Sequence, residues 1–289
     1  VRGNTFYFPE CKVRSPYSNL AIEESISLLI TKYDLLGGIR LWRNPSTIVL
    51  GLSEKPEQTI QPKVIESFTK NLNHIGFQKY PRENSIFIAR RASGGGTVYQ
   101  NATGNINYSI YVNLEMRKEL FSVRDSYQIL LGLVTKSLSK QLVHADSNGK
   151  SDITIFENGI LKKISGNAQF RKKNCIVQHG TLILNEALID SVTGLLLHPP
   201  EEPEYRKSRK HRDFLTALPD TFDTDRFGTS LFEEFQSYLQ IEEPSRKENF
   251  SFFSRGFSSF RRSVLKESEI IRKSKYERLS YILNREIPT

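Results

Sequence analysis

The chain has 289 residues, 38% of them hydrophobic and 25% charged. That balance excludes a disordered chain and suits one large globular domain with at most a short appendage. No apolar run reaches the roughly 18 residues a membrane span needs, residues 1–17 lack the pattern of a secretory signal, and the formal charge of +9 favours an anionic partner.

In chain order, apolar residues recur at helical spacing from Asn19 to Ile30, with Ser18 as N-cap, and Gly37-Gly38 closes that region. Ile39–Trp42 and Thr47–Leu50 read as strands joined by the turn Arg43-Asn44-Pro45-Ser46. Ile60–Leu72 reads as a helix, Ile86–Ala89 as a short strand entering a glycine-rich turn, and Ile106–Val112 as a strand by its alternation. Ser126–Leu142 is helical in pattern. A strand-rich block follows at Asp152–Phe156, Leu161–Phe170 and Ile176–Leu184, the last two forming a hairpin across Arg171-Lys172-Lys173-Asn174. Ser230–Leu239 and the mostly polar Ser263–Asn284 read as helices. Hairpins interrupted by helices, with no regular βαβ series, predict an α+β fold with a mixed sheet flanked by helices.

Two cysteines, Cys11 and Cys175, are too few for a disulfide framework or a structural zinc site and read as reduced thiols of a cytoplasmic protein. Arg206, Lys207, Arg209, Lys210 and Arg212 crowd the loop that begins at His198, a density more typical of a solvated loop than of a binding site. The Pro-rich stretch Pro199–Arg206 before them reads as a surface connection, or else as a contact for nucleotide phosphate or an acceptor domain. No zinc finger, RNP or helix-turn-helix pattern accompanies these cations, so nucleic acid is not an expected partner.

Arg90-Arg91-Ala92-Ser93-Gly94-Gly95-Gly96 is the most unusual stretch. Three successive glycines remove every Cβ from the turn, so a ligand can lie on the backbone with N–H groups facing anionic oxygens. Neighbouring arginines can neutralise phosphate or carboxylate through forked bonds. The turn is neither a Walker loop nor a dinucleotide fingerprint, and a tight structural turn would also explain it. Further on, strand alternation predicts Lys163 and Ser165 on one face, with the hairpin bringing His179-Gly180-Thr181 near. A lysine on a rigid strand beside an open glycine turn suits stabilisation of charge on phosphate and acyl oxygens; the alternative is an ordinary solvent-facing lysine.

Taken together, Arg-Arg-x-Ser-Gly-Gly-Gly at 90–96, Gly104-Asn105 with Asn107-Tyr108-Ser109, Lys-Ile-Ser-Gly at 163–166 and His-Gly-Thr-Leu at 179–182 resemble the lipoate–protein ligase A family in order and spacing. Asn19-Leu20-Ala21-Ile22-Glu23-Glu24 and Leu41-Trp42-Arg43-Asn44-Pro45 do so too, and the resemblance covers roughly residues 15–240. It implies the mixed sheet shared with biotin ligases and class II synthetase cores. It also implies a catalytic domain over 1–243, with 244–289 a short helical extension rather than a full accessory domain. Arg91, Ser93, Gly94, Gly95 and Gly96 would line the acyl and phosphate pocket, with Ser165 and Gly166 beside it. Lys163 would hold the acyl carboxylate and α-phosphate, Asp152 would meet the nucleotide or its Mg²⁺, and His179, Gly180 and Thr181 would shape the far side of the acyl pocket. The chain departs from the family's pattern at Gln100-Asn101, where a histidine is common.

The implied activity is ATP-dependent conversion of lipoate or octanoate to acyl-AMP, followed by transfer to a lysine. The implied acceptors are lipoyl domains of 2-oxoacid dehydrogenase E2 subunits or the glycine cleavage H protein, and the implied helper is a separate accessory subunit. An ATP-independent transferase would need a cysteine beside Lys163. Cys175 lies about seven strand residues from the position opposite it, roughly 20 Å at ~3.3 Å per residue. A biotin ligase would need a Gly-Arg-Gly-Arg-type loop, which is missing. A non-catalytic homologue that binds an acyl group or a partner is the remaining alternative.

Overall fold

The computed structural model describes residues 4–79, 85–239 and 255–286; the boundary expected at residue 243 and the side chain of Cys11 lie outside what it describes. Asn105–Asn113 (β6) shows why the body is layered. Its alternation sends Tyr108, Ile110 and Val112 to one face and Asn107, Ser109 and Tyr111 to the other, yet all nine residues are buried. A strand buried on both faces must sit mid-sheet with a layer on each side.

The large sheet has seven strands: Asn4–Val13 (β1), Leu35–Arg43 (β2), β6, Asp146–Asn148 (β7), Asp152–Glu157 (β8), Ile160–Lys172 (β9) and Cys175–Ile183 (β10). They lie side by side in the order β1-β2-β6-β10-β9-β8-β7, with β1 and β2 parallel and every other pair antiparallel. A second sheet places Thr47–Leu50 (β3) between a parallel Phe87–Arg90 (β4) and an antiparallel Val98–Gln100 (β5). The mixed sheets flanked by helices are those expected of the sequence.

One face of the large sheet packs on Val123–Ser139 (α4) and Thr224–Tyr238 (α7) through Tyr108, Leu130, Ile153, Ile164 and Phe227. The other face carries Pro16–Leu29 (α1) and the small sheet with its helices Pro62–Lys79 (α3) and Glu186–Leu195 (α5). Arg255–Ile271 (α8), a π turn at Arg272–Tyr276 and Leu279–Asn284 (α9) complete that side. Residues 263–284 therefore do not form one polar helix: Val264, Tyr276, Tyr281 and Ile282 make a buried stripe that the charged residues between them disguise. The segment is tied to α1 by Glu24, whose carboxylate accepts from Lys275 Nζ and Tyr276 Oη, each at 2.6 Å.

Three local expectations change. Helix α1 starts at Pro16, whose fixed φ and missing N–H suit a first helical position, so Ser18 lies inside the first turn rather than at the cap. The helix expected at 60–72 begins at Pro62 for the same reason, after a separate turn Pro56–Thr59 (α2). Gly37 and Gly38 do not end a region; they sit inside β2, where a Cβ on Gly38 would run into the Phe6 ring and one on Gly37 into the Tyr111 carbonyl and Phe235. Arg43–Ser46 then carries the chain from one sheet to the other rather than pairing its flanking strands.

Gly38→Ala is expected to destabilise the fold by about 1–3 kcal/mol, since the clash is with a ring locked among Phe8, Tyr111 and Phe260. Urea unfolding of the variant beside wild type measures it.

Candidate functional site

Strand β4 ends at Arg90, and the chain then turns through Ala92–Gly96 before β5. Both arginines at this turn point inward. Arg90 is 1% exposed and donates to the carbonyls of Gly51, Leu52 and Glu54 and to those of Tyr281, Ile282 and Leu283 in α9. Arg91 donates to Val49 O, to Gly94 O and Gly96 O at 2.7 and 2.8 Å, and through Nε to Ser93 Oγ at 2.9 Å. Burial pulls its guanidinium down to about 10, so it stays charged at neutral pH. Rather than offering both forks to a ligand, the arginines hold the turn from beneath, while Gly94, Gly95 and Gly96 stay exposed above it. Gly95 has φ +84°, a conformation that favours glycine.

The turn lies over the α1-side face of the large sheet: Ser93 meets His179 there, and a Cβ added to Gly95 would stand 3.8 Å from Ala168 Cβ. Asp152, Gly166 and Thr181 are cross-strand neighbours on β8, β9 and β10 and so share that face. Lys163 joins them because β9 bulges: Ile153 pairs with Ser165 but Thr154 pairs with Lys163, leaving Ile164 as the extra residue. Lys163 and Ser165 are therefore not on one face. Ser165 turns with Ile164 toward the α4 side, where its Oγ is 3.4 Å from Asn167 Oδ1, and Tyr108 also bonds that amide. Gly180 lies on the same far side, its missing Cβ making room for Tyr108 and Asn167. Gly166 has the opposite use: a Cβ there would come within 3.0 Å of Lys163 Nζ, so the bare backbone lets the ammonium lie across the strand.

Lys163 Nζ meets Asp152 Oδ1 at 2.7 Å, and the lysine side chain keeps 22% exposure. The other oxygen, Oδ2, accepts from Tyr205 Oη at 2.7 Å. Tyr205 comes from the 198–212 loop, which is more than a solvated connection. Arg206 is 5% exposed over the Phe214 ring, and Arg209 donates to Leu161 O on β9. Lys207, Lys210 and Arg212 remain exposed, as the charge run suggested.

At the other end of the face, His179 Nε2 is 2.7 Å from Ser93 Oγ, and its Nδ1 meets both oxygens of Glu23 on α1 at 3.0 and 2.9 Å. Glu23 Oε1 also accepts from Ser109 Oγ at 2.6 Å. Burial would raise the Glu23 carboxyl, but His179, Ser109 and Arg40 together hold it below its ordinary 4.5. Thr181 Oγ1 accepts from Asn105 Nδ2 at 2.8 Å. Gln100 and Asn101 are structural: Gln100 Oε1 ends a buried chain from Arg40 through Asn19 and Asn44, and Asn101 Oδ1 accepts from Gly104 N.

A family model described as the lipoyl protein ligase A/B catalytic domain matches residues 15–236. The chain belongs to this family. It is 33% identical over 179 residues to the Bacillus subtilis lipoate-protein ligase LplJ, an alignment covering 62% of this chain and 50% of that one. The chain spans about half the length of the curated relatives it matches. Its fold is that of an archaeal bipartite lipoate protein ligase from Thermoplasma acidophilum, analysed with its E2 lipoyl domain, at TM-score 0.70 and 19% identity, over 99% of this chain and 98% of that one. A lipoate-protein ligase A bound with ATP matches at TM-score 0.68 and 18% identity, over 98% and 99% of the two chains.

Within this lipoyl-ligase-family domain the described side chains form no all-protein Mg²⁺ cage. Both oxygens of Asp152 are already bonded, and no group of three metal-ligating side chains occurs among the described residues. Cys175 is buried on β10 opposite Lys172, with its thiol pushed well up by burial, and nine residues of β9, roughly 30 Å at ~3.3 Å each, separate Lys172 from Lys163. No described helix is long and apolar enough to cross a membrane. Tyr205 and Glu23 lie in stretches the sequence marked, Pro199–Arg206 and Asn19–Glu24, but neither was given a role at the site. Glu23 sits in a helix that reads as amphipathic; its signals were the match of Asn19–Glu24 to the family's pattern and an acid among residues that had to be buried.

Glu23 and Glu24 both lie below the ordinary 4.5, Glu24 because Lys275, Tyr276 and Lys172 outweigh its burial. Their contribution is complete above that value and disappears as pH falls through the lower folded values, when the native carboxylates take up protons. Urea midpoints should hold from pH 7 to about pH 5 and drop below about pH 4, with a shallower drop for Glu24→Gln.

Proposed function

We propose that the chain activates lipoate or octanoate with ATP and transfers the acyl group to a lysine of a lipoyl domain. The observation that carries this reading is the Lys163 ammonium, held by Asp152 over the bare backbone of Gly166, on the face covered by the exposed Gly94–Gly96 turn. Family membership and the names of the relatives support the same chemistry.

In the first step a carboxylate oxygen of the acid attacks the α-phosphorus of ATP. The bond from that phosphorus to the bridging oxygen breaks, and pyrophosphate leaves. Negative charge builds on the non-bridging oxygens, and Lys163, with one hydrogen on Asp152 and two left, is placed to neutralise it. The Gly94–Gly96 backbone would receive phosphate and acyl oxygens, Gly166 would let the substrate approach Lys163, and Ser165 and Gly180 would contribute backbone only. Ser93, Thr181 and His179 would border the acyl group, with Arg91 acting through the turn. Magnesium would arrive on the nucleotide's phosphates as part of the substrate. In the second step the acceptor amine attacks the acyl carbon, the carbon–oxygen bond to AMP breaks, AMP leaves and the amine loses a proton. The acceptors we favour are E2 lipoyl domains or H protein in the cytoplasm, with a separate accessory polypeptide as a further component. The catalytic unit would extend over 1–243, with the later residues an extension packed on α1.

Purified chain should support exchange of labelled pyrophosphate into ATP that depends on lipoate or octanoate. Lys163→Ala should reduce it by about a hundred- to a thousandfold while circular dichroism stays native, the range seen for loss of one group that stabilises developing charge. Gly166→Ala, which pushes only on the flexible end of Lys163, should lower exchange with little change in stability. Exchange retained in Lys163→Ala would remove the lysine from the mechanism.

A further inference from the structure

We propose that Glu23 is a positioning residue of this site, acting through His179 and Ser93 on the glycine turn. The kinetic part of the idea rests on the ligase reading; the structural part does not.

Glu23 is 1% exposed on α1, and both of its oxygens face His179 Nδ1. An ionised carboxylate can only accept, so the hydrogen of the ring must sit on Nδ1. In the neutral ring Nε2 is then an acceptor, and its neighbour at 2.7 Å is Ser93 Oγ, which has one hydrogen to give. With that hydrogen turned to the ring, Ser93 Oγ presents a lone pair to Arg91 Nε–H at 2.9 Å. Donation runs one way along the array, from Arg91 to Ser93 to His179 to Glu23, and every group has a partner. The opposite tautomer would aim two N–H groups at Ser93 Oγ and set a bare Nδ1 against a carboxylate.

The consequence reaches the exposed backbone, because the same Arg91 guanidinium holds the Gly94 and Gly96 carbonyls. A negative charge on α1 thereby selects the orientation of a hydroxyl at the start of the turn. Other polar groups close to Glu23 are Ser109 on β6, itself fixed by Trp42 Nε1 at 2.9 Å, and Arg40 on β2. They satisfy the carboxylate without competing for Nδ1. A helix acid serving only to dock α1 would change stability and leave both the ring's tautomer and its coupling to Ser93 unmoved.

The test combines nitrogen NMR of ¹⁵N-histidine-labelled protein at about pH 8, above the ordinary histidine range, with a double-mutant cycle on pyrophosphate exchange. Wild type should show His179 protonated on Nδ1 and bare on Nε2. Glu23→Gln, which can donate as well as accept, should give a mixture of tautomers. Glu23→Gln and Ser93→Ala should each lower kcat/KM about tenfold, mostly through KM, and the double variant should be no worse than the worse single one. A wild-type ring carrying its proton on Nε2, or on both nitrogens, would overturn the proposal, and so would losses that multiply independently. If wild type catalyses no exchange, the ligase reading fails, and the NMR result alone still decides the role of Glu23. The same wild-type spectrum decides it if the Gln variant does not fold.

Discussion

A turn of three exposed glycines has no side chains with which to hold its own shape, so its conformation must be imposed from outside. Arg90 and Arg91 impose it. Both are buried, neither forms an ion pair among the described contacts, and both give their hydrogens to backbone carbonyls, save that Arg91 Nε also donates to Ser93 Oγ. Guanidinium is suited to this because its planar fork reaches several carbonyls at fixed angles and it is less strongly hydrated than ammonium. The turn, the loop from Gly51 to Glu54 and the end of α9 are thereby referred to two adjacent residues where β4 ends.

On the sheet beneath, a single extra residue does similar work. Without the bulge at Ile164, Lys163 would follow the alternation of Ser165 and Asn167 to the α4 side, away from Asp152 and the glycine turn. The bulge lets Ile164 and Ser165 share the covered face and returns Lys163 to the open one. Gly166 next to it keeps the surface bare. The lysine's position is thus a matter of strand register and of one absent Cβ.

Much of this was legible in the sequence, and the exceptions have a common cause. The hairpin at 171–174 and the strand at 106–112 were readable because alternation and turn residues are local signals. The family resemblance marked the residues that the structure gathers on and around one face, among them Ser93, the glycines, Asp152, Lys163, His179 and Thr181. What could not be read was direction. Nothing in a run of Lys-Lys-Ile-Ser-Gly says which residue bulges, and nothing in Arg-Arg before glycines says that the forks point inward. Gly37-Gly38 looks like a break until Phe6 and Tyr111, from other strands, are seen to fill the space. The stripe in 255–286 was masked by the charged residues around it, and Tyr205 lies in a stretch whose composition left surface connection and ligand contact both open.

The bonds between Arg90 and the carbonyls of residues 281–283 join parts of the chain about 190 positions apart. At ~5–20 residues per second, a ribosome needs about 10–40 s to make the intervening length. During that interval β4 and the glycine turn can exist, but Arg90 lacks half of its carbonyl partners, and the Glu24 carboxylate still awaits Lys275 and Tyr276. Until residues 281–283 are made, the glycine turn is tied down from one side only, and the core beside α1 lacks Val264, Tyr276, Tyr281 and Ile282.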